Sequence, residues 1–284
     1  MIADLPLHSH APALPRDVLI VDSVTHFEAS AHGGVAIAAS HGGVFAVHEA
    51  LAHGVAALVL NDAGVGREGA GIAGLEYANT LGVPCATVDH RTARIGDGVD
   101  CAVRGMISYA NAAAQALGVR LGMRAMEAAQ RMRDAQPRPV DPGAPPGEAR
   151  HGIATGPGER PIALLDSASL VRPGDVGAVV VTGSHGGLLG GRPETAIKVA
   201  VFAALYNDAG IGCDGAGVSR LPVLDERGIA GAAVAAASAR IGDARSAWDT
   251  GVVSCANRAA QALGVREGMP VQEAAWRLAR ARKE

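Results

Sequence analysis

Two histidines stand in the same four-residue setting, Ser40-His41-Gly42-Gly43 and Ser184-His185-Gly186-Gly187. About twenty residues after each comes Asn-Asp-Ala-Gly, beginning Asn61-Asp62 and Asn207-Asp208. A carboxylate beside an imidazole fixes its tautomer and raises its basicity, the arrangement of a general base. Adjacent residues of an extended segment point to opposite faces, so Ser40 with His41, or Ser184 with His185, is not expected to form a dyad. Ends of neighbouring strands lie about 5 Å apart. That spacing pairs His41 with Asp62 and His185 with Asp208 as the expected catalytic groups. The same pairs would equally serve as structural hydrogen bonds.

The glycine pairs after the histidines, Gly42-Gly43 and Gly186-Gly187, would offer backbone N–H groups at a helix start to an anion or a developing oxyanion. A third repeated motif, Ala-Arg-Ile-Gly-Asp, carries Arg94 with Asp97 and Arg240 with Asp243. Its arginine suits bidentate binding of a carboxylate or phosphate, or an ion pair across the loop or between domains. Ser40, Asn61 and Arg94 with Asp97, and Ser184, Asn207 and Arg240 with Asp243, therefore complete the expected substrate-binding set. Asp62, Glu68 and Asp97, or Asp208, Asp214 and Asp243, would be able to join a histidine around a divalent ion. No recognised ligand spacing supports that, and no metal or other cofactor is assigned. Ser108-x-x-Asn111 and Ser254-x-x-Asn257 read as capping or packing residues of a helix. Lys198 is the one lysine besides Lys283, and rarity alone gives it no role.

These motifs recur because a whole domain recurs. Residues 61–131 align with 207–277 without a gap, and roughly half of the positions are identical. Upstream, the SHGG motifs and Asp22-Ser23 with Asp166-Ser167 align two residues out of phase. A unit of about 120 residues is too long for a solenoid repeat and signals duplication of a complete fold. The expected organisation is a first α/β repeat with an N-terminal leader over 1–136, a proline- and glycine-rich linker over 137–159 and a second repeat over 160–284.

Within each copy, short apolar strands alternate with helices, which predicts tandem three-layer α/β/α lobes with mostly parallel sheets, related by a pseudo-twofold axis. The strands are expected at 18–22, 34–40, 56–62 and 84–89, and at 162–166, 177–184, 203–208 and 230–236. A gap of about ten residues between the first two strands of each copy suggests that this pair is antiparallel. A helix is expected after each SHGG. A long helix, ending at Gly118 or Gly264, is expected to follow each Ala-Arg-Ile-Gly-Asp. The three motifs all follow strands, so in a parallel sheet they share the carboxyl edge, where ligands of open α/β sheets bind.

Apolar residues at 49% supply real cores, while aromatics at 3% leave no platform for stacked bases. A formal charge of -3 gives no nucleic-acid footprint, and no segment reads as a membrane span. Cys85, Cys101, Cys213 and Cys255 form no CxxC and read as thiols in a reducing compartment, which with the absence of a secretory pattern suggests the cytoplasm. The expected partner is a small anionic or polar molecule, and a homo-oligomer is possible.

The motifs point first to a hydrolase or lyase of a small polar or carboxylated metabolite. An anion-binding or regulatory module without catalysis is the alternative. A phosphoribosyl-type transferase ranks lower, because Asn61 replaces the first of the usual paired acids.

Overall fold

The computed structural model describes residues 18–28 and 31–281, so the N-terminal leader, with His8 and His10, lies outside the described residues. The chain folds into two α/β lobes. In the first, β1 (Val18–Val21), β2 (Val35–His41), β3 (Ala57–Asn61), β4 (Cys85–Val88) and β5 (Ile107–Ala110) lie side by side in sequence order. The first four are parallel, and β5 closes the edge antiparallel to β4. Helices α1 (Val44–Ala52), α2 (Ala73–Thr80), α3 (Gly98–Arg104), α4 (Ala112–Ala116) and α5 (Ala125–Asp134) connect them.

The second sheet has β6 (Arg150–Ile153), β7 (Ile162–Leu165), β8 (Val179–His185), β9 (Ala203–Asn207), β10 (Ala230–Val234) and β11 (Val253–Ala256). Strands β7 to β10 are parallel, with β6 and β11 antiparallel at the two edges. Its helices are α6 (Arg220–Glu226), α7 (Ala244–Thr250), α8 (Arg258–Ala262) and α9 (Val271–Ala279).

Alternation along a strand sends successive side chains to opposite faces, and here both faces are apolar. Val35, Ile37 and Ala39 of β2 join α3 and α5 in one core, while Ala36 and Ala38 join α1 and α2 in another. The second sheet is covered in the same way, by α7 and α9 on one face and α6 on the other. With few aromatics, helices rich in alanine approach the sheet closely: Ala125, Ala128 and Ala129 of α5 are all fully buried.

Four expectations about the elements are corrected. The first strand pair is parallel in both copies, Val18 standing beside Val35 and Ile162 beside Val179. The crossover in the first lobe uses a short 3-10 turn, Val24–His26, which is held where the Ser40 hydroxyl accepts the Val24 N–H at 3.0 Å. The long helix after Ala-Arg-Ile-Gly-Asp is instead α3, β5 and α4, with α7, β11 and α8 in the second copy. Its alanines favour helix locally, yet Ile107–Ala110 completes the sheet edge. Asn111 then turns the chain and caps α4 through the Ala114 N–H. After the second SHGG there is no α-helix but 3-10 turns at Leu189–Gly191 and Pro193–Thr195, where Gly190 and Gly191 hold positive φ. Finally, the proline- and glycine-rich segment is not all connector, because β6 lies within it and adds to β7.

No helix among the described residues is long and apolar enough to cross a membrane.

Candidate functional site between the lobes

The Asn-Asp-Ala-Gly loops sit at the carboxyl ends of β3 and β9, as expected, but their polar side chains shape the backbone. Ala63, Gly64, Val65 and Gly66 all hold positive φ, as do Ala209, Gly210, Ile211 and Gly212. A left-handed turn costs L-residues roughly 1–2 kcal/mol each, so it must be held in place. Asn61 Oδ1 accepts the Ala63 N–H at 2.9 Å and Asp62 Oδ1 accepts the Gly64 N–H at 3.0 Å; Asn207 and Asp208 do the same for Ala209 and Gly210. Asn61 and Asn207 are buried, and their Nδ2 groups donate to the Ala93 and Ala239 carbonyls.

These two turns meet at the lobe interface. A Cβ on Gly64 would lie 2.8 Å from the Gly210 Cα, so only glycine allows the approach. Around it Ala63, Ile95, Ala209, Ala216 and Ile241 form one small core. Reciprocal backbone bonds, Arg67 N–H to the Ala236 carbonyl and Cys213 N–H to the His90 carbonyl, both at 2.8 Å, join the lobes. Arg94 pairs across the interface with Asp214 at 2.8 Å, and Arg240 with Glu68 at 2.9 Å. Both arginines are therefore bridges between the lobes. Asp97 and Asp243 cap α3 and α7 by accepting the Asp100 and Ser246 N–H groups, and Asp243 also holds Arg240.

The expected His41–Asp62 and His185–Asp208 pairs are not made. In the β2–β3 register His41 stands beside Asn61. Asp62 instead accepts from His90, a residue absent from the expected site: its Oδ1 lies 2.8 Å from His90 Nδ1 and 3.0 Å from the His90 N–H. That hydrogen bond raises the His90 pKa. In the second lobe Ala236 occupies the equivalent position, and Asp208 accepts only backbone N–H groups.

His41 and His185 face a different environment. Both line a single cavity of about 110 Å³ between the lobes, together with Ser23, Ser40, Glu148, Asp166, Ser167 and Ser184. His41 Nδ1 accepts the Gly43 N–H at 3.1 Å, and His185 Nδ1 accepts the Gly187 N–H at 3.2 Å. A ring nitrogen that accepts a backbone N–H carries no proton, so the neutral ring has its hydrogen on Nε2. Neither Nε2 has a hydrogen-bond partner among the described residues. Each ring also reaches the other lobe: Gly242 lies beside His41, and Gly96 beside His185.

Burial drives the His41 pKa down to about 4. The same desolvation, followed by the charges of Arg220 and His41, holds His185 well below its ordinary value. At neutral pH both rings are therefore uncharged. Because Nδ1 already accepts a backbone N–H, the free Nε2 carries the hydrogen, so each ring offers a donor in place of the basic nitrogen expected. The glycine amides do not form an oxyanion hole, because Gly43 and Gly187 donate to the histidines and Gly42 and Gly186 donate to the Asn61 and Asn207 carbonyls. Ser40 and Ser184 contribute hydroxyls that already accept the Val24 and Ala168 N–H groups.

Two groups, one lining the cavity and one behind it, were not legible in the motifs. Glu148 enters from the segment that read as linker, and its carboxyl is raised by burial and by the neighbouring Asp166 and Glu49. Arg220, at the start of α6, stands behind the His185 loop. It is only 5% exposed, has no carboxylate partner among the described residues, and donates to the Gly187 carbonyl at 3.0 Å and the Ala196 carbonyl at 2.8 Å. Its first-lobe counterpart is Gly74. Lys198 is exposed, its Nζ 3.4 Å from the Ser169 carbonyl, and takes no part in the cavity.

Among the described residues, the one cluster with metal-ligand character, Asp62, Asp89 and His90, is already satisfied by hydrogen bonds. His90 donates to Asp62, and Arg91 occupies Asp89 at 2.6 Å. No family model, curated protein or solved structure matches this chain. The fold and cavity define it as a two-lobed α/β protein with a small polar chamber between the lobes.

Proposed function

We propose that this protein is an enzyme acting on a small carbonyl-bearing metabolite, a lyase or hydrolase whose reaction centre is the chamber between the lobes. The observation that carries this reading is the meeting of two neutral Nε2–H donors, one from each lobe, with the raised carboxyl of Glu148 around one cavity. As a carboxylate, Glu148 takes a proton either from the carbon beside the carbonyl or from a water attacking it. The displaced electron pair moves to the carbonyl oxygen, which accepts hydrogen bonds from His41 and His185. A neutral imidazole stabilises such an oxyanion without giving up its proton. A carboxyl with a raised pKa is closer to the operating pH of a general acid or base than an ordinary one.

The tandem arrangement supports an origin by duplication of one α/β unit, with an approximate twofold passing between Gly64 and Gly210. On this reading the shared loops build the interface, and the chemistry belongs to groups set around the chamber.

The test is isotope exchange on pyruvate, which needs no knowledge of the natural product. The lyase arm predicts deuterium uptake at the methyl carbon from D2O above the uncatalysed rate, and the hydrolase arm predicts 18O entry into the carbonyl. Glu148→Gln should lower either rate about a hundredfold or more, and His41→Ala or His185→Ala by a similar factor. Pyruvate binding without either exchange would favour the second reading, a binding or regulatory module. Exchange unaffected by all three variants would move the chemistry elsewhere.

A further inference from the structure

The chamber has two electrostatic ends. Near Glu148 the neighbouring charges are negative, Asp166 and Glu49, and Asp166 itself lines the wall. Near His185 the acting charge is that of Arg220. A guanidinium buried to this degree is normally matched by a carboxylate. Arg220 is matched only by the Gly187 and Ala196 carbonyls and by the face of Tyr206, 4.8 Å from the ring centroid. The Gly187 carbonyl belongs to the loop whose N–H fixes His185, so the positive charge sits directly behind one wall of the chamber.

The first lobe has nothing equivalent, since Gly74 replaces Arg220 and Leu60 replaces Tyr206. His41 accordingly owes its lowered pKa to burial alone. The volume adds a limit. At about 110 Å³ the chamber admits only a small molecule.

We infer that the chamber selects a small carboxylate, with its anionic group toward His185 and its neutral end toward Glu148, and that Arg220 is the residue that sets this charge preference. The inference rests on the chamber being the ligand site and assigns the class of ligand it takes. Arg220 acts through the loop and touches neither the chamber nor the ligand, so it is a positioning and selectivity residue. A missing counter-charge is supplied when the ligand binds, and the neutral His185 ring adds no charge of its own at that end. At the Glu148 end a carboxylate would meet Asp166, which fixes the orientation.

The experiment compares pyruvate with pyruvamide, which is similar in shape but uncharged, by titration of wild type, Arg220→Met and Arg220→Lys followed through the histidine side-chain NMR signals. Wild type is expected to bind pyruvate about tenfold or more tightly over pyruvamide, the scale of one unit charge across a partly screened gap. Arg220→Lys should keep most of that preference, whereas Arg220→Met should abolish it without weakening pyruvamide. Equal binding of both by wild type, or a preference that survives Arg220→Met, would overturn the charge assignment while leaving the chamber as the site. Binding of neither by wild type would remove the ligand reading itself and this inference with it. Should Arg220→Met fail to fold, Arg220→Gln, which keeps a donor toward the Gly187 and Ala196 carbonyls but carries no charge, tests the same assignment.

Discussion

The two lobes agree closely where they touch and in the histidine and serine pairs that line the chamber, and they differ in what stands behind those histidines. Asn61-Asp62-Ala63-Gly64 and Asn207-Asp208-Ala209-Gly210 build the same left-handed turn and meet at the same pair of glycines. Behind the histidines the agreement ends: the first lobe has α1 and Gly74, and the second has 3-10 turns and Arg220. At the Asp62 position the first lobe adds His90, while the second has Ala236. Repetition of the Asn-Asp-Ala-Gly motif thus marks an architectural need that both lobes share, whereas loss of symmetry marks positions free to specialise.

Substitutions at shared positions should break both lobes alike, and the largest effects are expected there. Gly64→Ala and Gly210→Ala each add a Cβ 2.8 or 2.9 Å from the partner glycine's Cα, at positive φ. Left-handed strain and overpacking together predict a loss of about 3–4 kcal/mol for either one, read by urea unfolding. Clearly unequal losses would break the comparison.

Next in size is a pH effect. The His41 pKa is lower in the folded protein, about 4, than its ordinary value near 6.5. The unfolded chain therefore binds the extra proton first. The stability from keeping this ring neutral is complete above about 6.5 and is lost as the pH falls toward 4, by at most about 3 kcal/mol. His41→Gln should flatten that part of the stability–pH curve, and an unchanged curve would show that the ring is not held neutral.

His90 should respond in the opposite sense and more weakly. Its folded pKa is raised by Asp62, so its contribution is full below about 6.5 and disappears as the pH rises through the raised value. His90→Ala should cost about 1–2 kcal/mol at pH 6 and less at pH 9. Replacing Ala236, its second-lobe counterpart, by glycine should show no such pH dependence.

The smallest effect is expected for the bridging arginines. Arg94→Ala and Arg240→Ala remove exposed pairs, which salt screens. Any drop in melting temperature should vanish at high salt. A drop that persists would assign them more than surface bridging.

Much of this organisation was legible in the sequence. Apolar runs such as Ala57–Asn61 and Ile162–Leu165 located the strands, and the motifs after them fell at the carboxyl edge. Alanine-rich stretches misled for β5 and β11, because helix propensity is local and sheet completion is not. The His–Asp pairing failed for a reason the sequence does not carry: β2 and β3 align His41 with Asn61, while Asp62 turns back to cap its own loop. Glu148 lay in a segment without periodicity, and Arg220 gained its significance only from burial without an acid. Arg220 stands opposite Gly74 in a stretch where the two copies diverge, so the exchange gave no signal of its own and its meaning required the fold.

The most direct test of the chamber is the tautomeric state of its histidines, read from nitrogen-15 side-chain NMR at pH 7. His41 and His185 should both be neutral with the proton on Nε2, and both signals should move on addition of pyruvate. A proton on Nδ1, or a charged ring at either position, would contradict the account, since neither histidine would then be the neutral donor on which the proposed chemistry depends.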